Sequence, residues 1–187
     1  MLGLLLMVSP AAAQRLTLVS MKAAGSTGGS SDSLNASVSS NGRFVAFSSS
    51  AHDLVAMSVS VVPNIYVRDL HTGATTLVSI NRAGKDGGNR SSTDPVISGD
   101  GRYVAFQSAA SNLTANDTNN TKDVFVRDLQ TGTTMLASAK LSGGDSGNGE
   151  SFNPYISANG QVVTLAQRSS RRSITTRRQA SPSVTPE

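Results

Sequence analysis

Ser98-Gly99-Asp100-Gly101-Arg102-Tyr103-Val104-Ala105-Phe106, followed by Asp123-Val124-Phe125-Val126-Arg127-Asp128-Leu129-Gln130-Thr131-Gly132, is the second copy of a pattern already present upstream. Arg43-Phe44-Val45-Ala46-Phe47 precedes Arg102–Phe106 by 59 residues. Val67-Arg68-Asp69-Leu70 stands in the same relation to Val126–Leu129, and Thr72-Gly73 to Thr131-Gly132. Gly42, Gly101 and Gly160 keep the 59-residue interval, as do Leu18, Leu77 and Leu136. No insertion or deletion is needed, so the chain is an internal repeat with one fixed period.

Each unit reads as four short strands. In the second copy they are expected over residues 95–98, 103–107, 123–129 and 133–138. Asp100-Gly101 is a hairpin signal, because both residues tolerate positive φ. Gln130-Thr131-Gly132 supplies a second turn with Gly where a bulge needs it. The first copy places the same strands around Val38 and over residues 44–48, 65–70 and 75–79. The middle strands carry unbroken apolar runs, a sign of burial on both faces. The fold class is therefore all-β. Four-stranded antiparallel meanders at a 59-residue period predict β-propeller blades. A β-sandwich has no reason to keep that period.

The pattern Ser-x-Asp/Asn-Gly-Arg-Tyr/Phe-Val-Ala-Phe, then Asp-Val-Phe-Val-Arg-Asp-Leu-x-Thr-Gly, closely resembles the TolB-like, WD40-like propeller repeats of bacterial envelope proteins. The resemblance covers residues 14–163. It implies a periplasmic or extracellular propeller that binds other molecules without catalysis of its own. Some relatives attach such blades to peptidase domains, so the alternative is the propeller portion of a secreted or periplasmic hydrolase whose catalytic domain lies elsewhere.

Composition agrees. Aromatics are 4% of 187 residues, there is no Trp, and Gly numbers 17, a balance that suits short strands and many turns. Absence of Cys excludes disulfides, thiolate metal sites and a Cys nucleophile. The +4 net charge sits in five late arginines, Arg168, Arg171, Arg172, Arg177 and Arg178; the preceding residues hold eleven basic and eleven acidic side chains. A nucleic-acid partner does not follow from so local a charge. Leu2–Val8 is a short apolar run followed by Ala11-Ala12-Ala13, the shape of an export signal over residues 1–13. No segment reaches the length of a membrane span.

The propeller region is expected over residues 14–167 and an Arg-rich disordered tail over 168–187. The third copy starts well, from Asn153 to Val163, but Leu165 stands where Phe106 should recur, and its last two strands are expected to be absent. The ring is thus incomplete, about two and a half units against the usual four to eight blades. The expectation is a truncated propeller; a fragment of a larger reading frame and self-association that completes the ring are the alternatives.

A meander puts its long connections at one end, here residues 108–122 and 139–152. Binding residues concentrate on such loops. Asn89, Arg90, Asn112, Asn116 and Lys122 are the candidate contacts for a protein or other envelope ligand. Asp117, Asn119, Thr121 and Asp123 alternate like the start of a calcium loop, but its sharp-turn Gly and closing Glu are missing. Asx turns holding the loop are the expectation there, with calcium the only cofactor the sequence leaves open. Gly144-Asp145-Ser146-Gly147 resembles a protease nucleophile loop, yet His52 and His71 offer no triad. Arg68-Asp69 and Arg127-Asp128 recur at one repeat position, which argues for structural ion pairs or hydrogen bonds between or within blades rather than chemistry.

Overall fold

The computed structural model describes residues 5–8, 15–25, 27–140, 144–168 and 173–178, with side chains described for 16–25, 27–140 and 144–168. The strands are β1 (Leu5–Val8), β2 (Arg15–Leu18), β3 (Ser33–Val38), β4 (Phe44–Ser49), β5 (Asn64–Asp69), β6 (Thr75–Leu77), β7 (Ser92–Ile97), β8 (Tyr103–Ser108), β9 (Asp123–Asp128), β10 (Thr133–Leu136), β11 (Ser151–Ile156), β12 (Val162–Gln167) and β13 (Ser173–Arg178). They form four antiparallel meanders: β1-β2, β3 to β6, β7 to β10, and β11 to β13. We call the last three units I, II and III. No helix occurs among the described residues.

The register repeats as the sequence does. Ala46 faces Val67 across β4 and β5, and Ala105 faces Val126 across β8 and β9. The first turn of each unit is built by one device. Ser39 Oγ donates to Asn41 Oδ1 and accepts the Phe44 N–H; Ser98 with Asp100 and Tyr103, and Ser157 with Asn159 and Val162, do the same. Gly42, Gly101 and Gly160 then take φ of 68°, 78° and 69°. Each first strand also carries a bulge, at which Asn35, Asp94 and Asn153 adopt φ near +52° (52°, 53° and 51°). Asn and Asp tolerate this conformation better than other side chains.

The core lies between units. Val45, Phe47 and Tyr66 pack with Val19 and Leu77 on the side of β2. Ala46, Ile65 and Val67 pack against Val104, Phe106 and Phe125 of unit II. Ala105, Val124 and Val126 pack against Val163 and Leu165 of unit III. Successive residues of a strand point to opposite faces. A middle strand with a unit on each side therefore needs apolar residues at every position, which explains the unbroken runs. The inner strands β3 and β7 meet directly, and Asn35 Nδ2 donates to Asp94 Oδ1 at 2.7 Å. Nothing in the period revealed this bond.

Asp69 and Asp128 do form ion pairs, but across the unit to Arg43 and Arg102, not with their sequence neighbours. Arg102 donates Nε to Asp128 Oδ1 at 3.0 Å and Nη2 to Oδ2 at 2.7 Å. The Arg102 guanidinium, helped by the Gln130 and Thr131 N–H groups, holds Asp128 down to about 2. An ordinary aspartate titrates near 3.9, so this stabilisation is complete above about pH 4 and is lost as pH falls toward 2. Arg102→Gln should therefore lower the urea midpoint near neutrality, with the gap from wild type closing by about pH 2. Urea titrations across that range check it.

Two segments beside the repeats also form strands. β13 pairs with β12 in register, Val163 opposite Arg177 and Leu165 opposite Thr175, so unit III has its third strand where a disordered tail was expected. β12 offered an unpaired edge, and backbone hydrogen bonding to such an edge does not depend on an apolar pattern. Leu5–Val8, within the expected export signal, forms β1, with Leu5 opposite Leu18. Residues 1–4 and 9–13 of that expected signal, and 169–172 and 179–187 of the expected tail, lie outside the described residues.

Candidate functional site on the loop face of unit II

The β8–β9 connection and those after β6 and β10 share one end of the molecule. Asparagines fasten them. Asn89 N donates to Asn112 Oδ1 at 3.0 Å, Ser111 N donates to Asn89 Oδ1 at 3.0 Å, and Asn116 Nδ2 donates to the Gly144 carbonyl at 2.7 Å. Asn89 and Asn112 are thus brought together, and Asn116 holds the next connection. Their side chains are largely spent on the scaffold. Arg90 and Lys122 are exposed and belong to neither arrangement.

Behind these loops a cleft of about 700 Å³ runs along the outer side of unit II toward the connection from unit I. Arg82 and Arg127 supply its charge, Asn81, Asn116 and three threonines add polar groups, and Ile80, Leu113 and Met135 supply apolar wall. No Asp or Glu lines it among the described residues. Arg127 donates to Thr134 Oγ1 at 2.9 Å, and burial pulls its pKa down. Its equivalent Arg68 makes the same bond to Thr75 and also reaches Met21 Sδ at 3.6 Å, where unit II has Ile80. Thr114 Oγ1, also on the cleft, is buried without a hydrogen-bond partner. A half-buried guanidinium over apolar wall can take a carboxylate or phosphate bidentately.

The alternating set on the β8–β9 loop is more enclosed. Asp117 is 7% exposed and Asp123 is fully buried. Ser138 Oγ donates to Asp123 Oδ1, but Asp123 Oδ2, Asp117 Oδ1 and Thr121 Oγ1 have no hydrogen-bond partner. Burial, then repulsion from Asp123, pushes Asp117 up to about 6; burial also raises Asp123, partly offset by Ser138 and Asn119. Asn119 Oδ1 accepts the Thr121 N–H at 2.9 Å, an Asx turn. Ser146 of the protease-like tetrapeptide accepts the Thr118 and Asn119 N–H groups at 3.0 Å each, which makes it a loop staple. His52 Nδ1 lies 3.2 Å from Ser30 Oγ, far along the chain from Ser146.

Comparison with solved structures identifies the architecture. TolB from Acinetobacter baumannii superposes with a TM-score of 0.52 at 17% identity, covering 93% of this chain and 37% of that one. A prolyl endopeptidase superposes with a TM-score of 0.55 at 14% identity, covering 91% of this chain and 24% of that one. The fold is a partial β-propeller of the TolB-like kind. Units I to III are its blades. The chain spans well under half the length of either protein. No family model matches it, and no curated protein matches it by sequence.

In blade terms, the long-loop face expected from the meander exists: Asn116 lines the cleft, Arg90 and Lys122 are exposed, and Asn89 and Asn112 fasten each other's loops. Arg82 and Arg127, which also line the cleft, were not among those five. Arg127 looked structural because Arg68 repeats it; the signal was the change opposite it, from Met21 to Ile80 at the same repeat position.

Proposed function

We propose that this chain is the propeller part of an exported bacterial protein that binds a partner without catalysis, through the outer cleft of blade II. The observation that carries this reading is the pair Arg82 and Arg127 on an apolar wall with no acid in the lining. The cleft's size falls in the range of ligand pockets. The partner chemistry that fits is an anionic group beside an apolar side chain, such as a peptide ending in Leu with a free carboxylate. Export and an envelope location are supported by the leader-like composition of residues 1–13 and by the likeness to TolB. The likeness to a prolyl endopeptidase supports the second reading, in which the same propeller is part of a larger hydrolase.

Fluorescence anisotropy with Leu-ending peptides, as free carboxylates and as amides, tests the cleft. The carboxylate series should bind and the amides should not. Arg127→Met should weaken binding about tenfold or more, since a hydrogen bond to a charged group contributes roughly 1.5–3 kcal/mol. Equal binding of acid and amide, or an unchanged Arg127→Met affinity with intact circular dichroism, contradicts the assignment.

A further inference from the structure

Blades I and II differ at one buried corner, and the difference leaves charge uncompensated. In blade I, Asn64 closes the corner. Its Oδ1 accepts from Ser79 Oγ at 2.8 Å, and its Nδ2 donates to the carbonyls of Val62 at 3.0 Å and Ser60 at 3.4 Å. In blade II the equivalent residue is Asp123, and Ser138 repeats the serine contact. Asp123 Oδ2 stands where the amide nitrogen would be. A carboxylate has no hydrogen to give, so it cannot tie the loop in the same way. Asp117 occupies the position of Ser58 and brings a second carboxylate to the same corner.

A buried ionised carboxylate is costly unless paired with a cation or fully hydrogen-bonded. No Lys or Arg pairs with Asp117 or Asp123 among the described residues. At the start of blade III, Ser151 has lost a partner for a different reason. It is fully buried, its N–H donates to the Lys122 carbonyl at 2.8 Å, and its Oγ has no partner. Its equivalents Ser33 and Ser92 bond to Ser49 and Ser108, but blade III has Gln167 at that position. Three oxygens between Asp117 and Asp123 thus remain without hydrogen-bond partners: Asp117 Oδ1, Thr121 Oγ1 and Asp123 Oδ2.

We propose that Asp117, Thr121 and Asp123 form a calcium site that orders the β8–β9 loop. An all-oxygen set on an irregular loop suits calcium, which accepts flexible geometry and six to eight oxygens. Magnesium demands near-ideal octahedral geometry and keeps its waters, so a cramped loop disfavours it. Asn119 is not a side-chain ligand, because its Oδ1 is engaged with Thr121.

Isothermal titration of the chelator-stripped full chain with calcium chloride, beside thermal unfolding in calcium and in EDTA, tests this. The expected result is one bound calcium per chain. Unfolding should rise by about 5 °C or more at a calcium concentration about a hundredfold above Kd. Asp117→Asn should abolish both. Asp123→Asn restores the amide that blade I uses; it should fold in EDTA at least as stably as wild type and show no calcium response. That variant separates loss of metal from loss of fold. An identical melt in calcium and EDTA overturns the proposal, as does calcium binding that survives both substitutions or an equal response to magnesium.

Discussion

Phe106→Ala is expected to destabilise the chain by about 3–5 kcal/mol, the range for deleting a buried phenyl ring. Phe106 is fully buried, stacks on Phe125 with centroids 5.9 Å apart, and belongs to the cluster that joins blades I and II. A typical domain is stable by only about 5–15 kcal/mol, so the loss removes much of the margin. Urea denaturation followed by circular dichroism measures it. Leu34→Ala, at a side chain 54% exposed on β3, is the control and should change stability by about 0.5 kcal/mol or less. If the two variants lose similar stability, blade-to-blade packing is not what holds the chain together.

Gly101→Ala should destabilise by about 2–4 kcal/mol, while Gly42→Ala should lose only about 1–2 kcal/mol. Both glycines sit at the same repeat position with φ of 78° and 68°, so both variants incur the left-handed backbone penalty. They differ in what lies nearby. A methyl on Gly101 would overlap the Phe44 ring of blade I, which also lies under the Arg43 guanidinium at 4.8 Å. A methyl on Gly42 meets nothing within 4 Å. Gly160 repeats the Gly101 contact against Tyr103 of blade II. Thermal and urea melts of the two variants separate packing between blades from strain within a turn. Equal losses would mean that the Gly–aromatic contact contributes nothing.

The repeat made most of the architecture legible. Hairpin residues such as Asp100-Gly101 and apolar middle strands such as Val124-Phe125-Val126 state their role locally, and the 59-residue interval states that neighbours are equivalent. Where an element forms because of a partner, the sequence is silent. β13 contains Arg177 and Arg178 and pairs because β12 has an open edge. A run such as Leu5–Val8 fits an export signal and a strand equally well, since both are short and apolar. The bulge residues Asn35, Asp94 and Asn153 follow the period, but their bulge becomes apparent only from the register shift.

Alternating spacing marked Asp117, Asn119, Thr121 and Asp123, and differences between copies sharpen the reading. Asn64 against Asp123 is a change from amide to carboxylate at one repeat position, and its meaning depends on burial, which periodicity does not report. Met21 against Ile80 changes what faces an arginine that itself does not change. The asparagines chosen on the loop face were visible because they are polar and sit on long connections. Those same properties suit them to fastening loops, as Asn89 and Asn112 do.

The side-to-side stacking of blades at one 59-residue register is tested most directly at their inner strands. The chain has no cysteine, so Asn35→Cys with Asp94→Cys introduces the only two thiols. These positions touch through a 2.7 Å hydrogen bond between β3 and β7. Treatment of the native protein with a short bismaleimide should link them within one chain, quickly and nearly completely, and urea should abolish the link. A pair placed at Asn35 and Asn153, two blades apart, should link poorly. Failure of the first pair to link, or equal linking of both, would contradict a row of propeller blades.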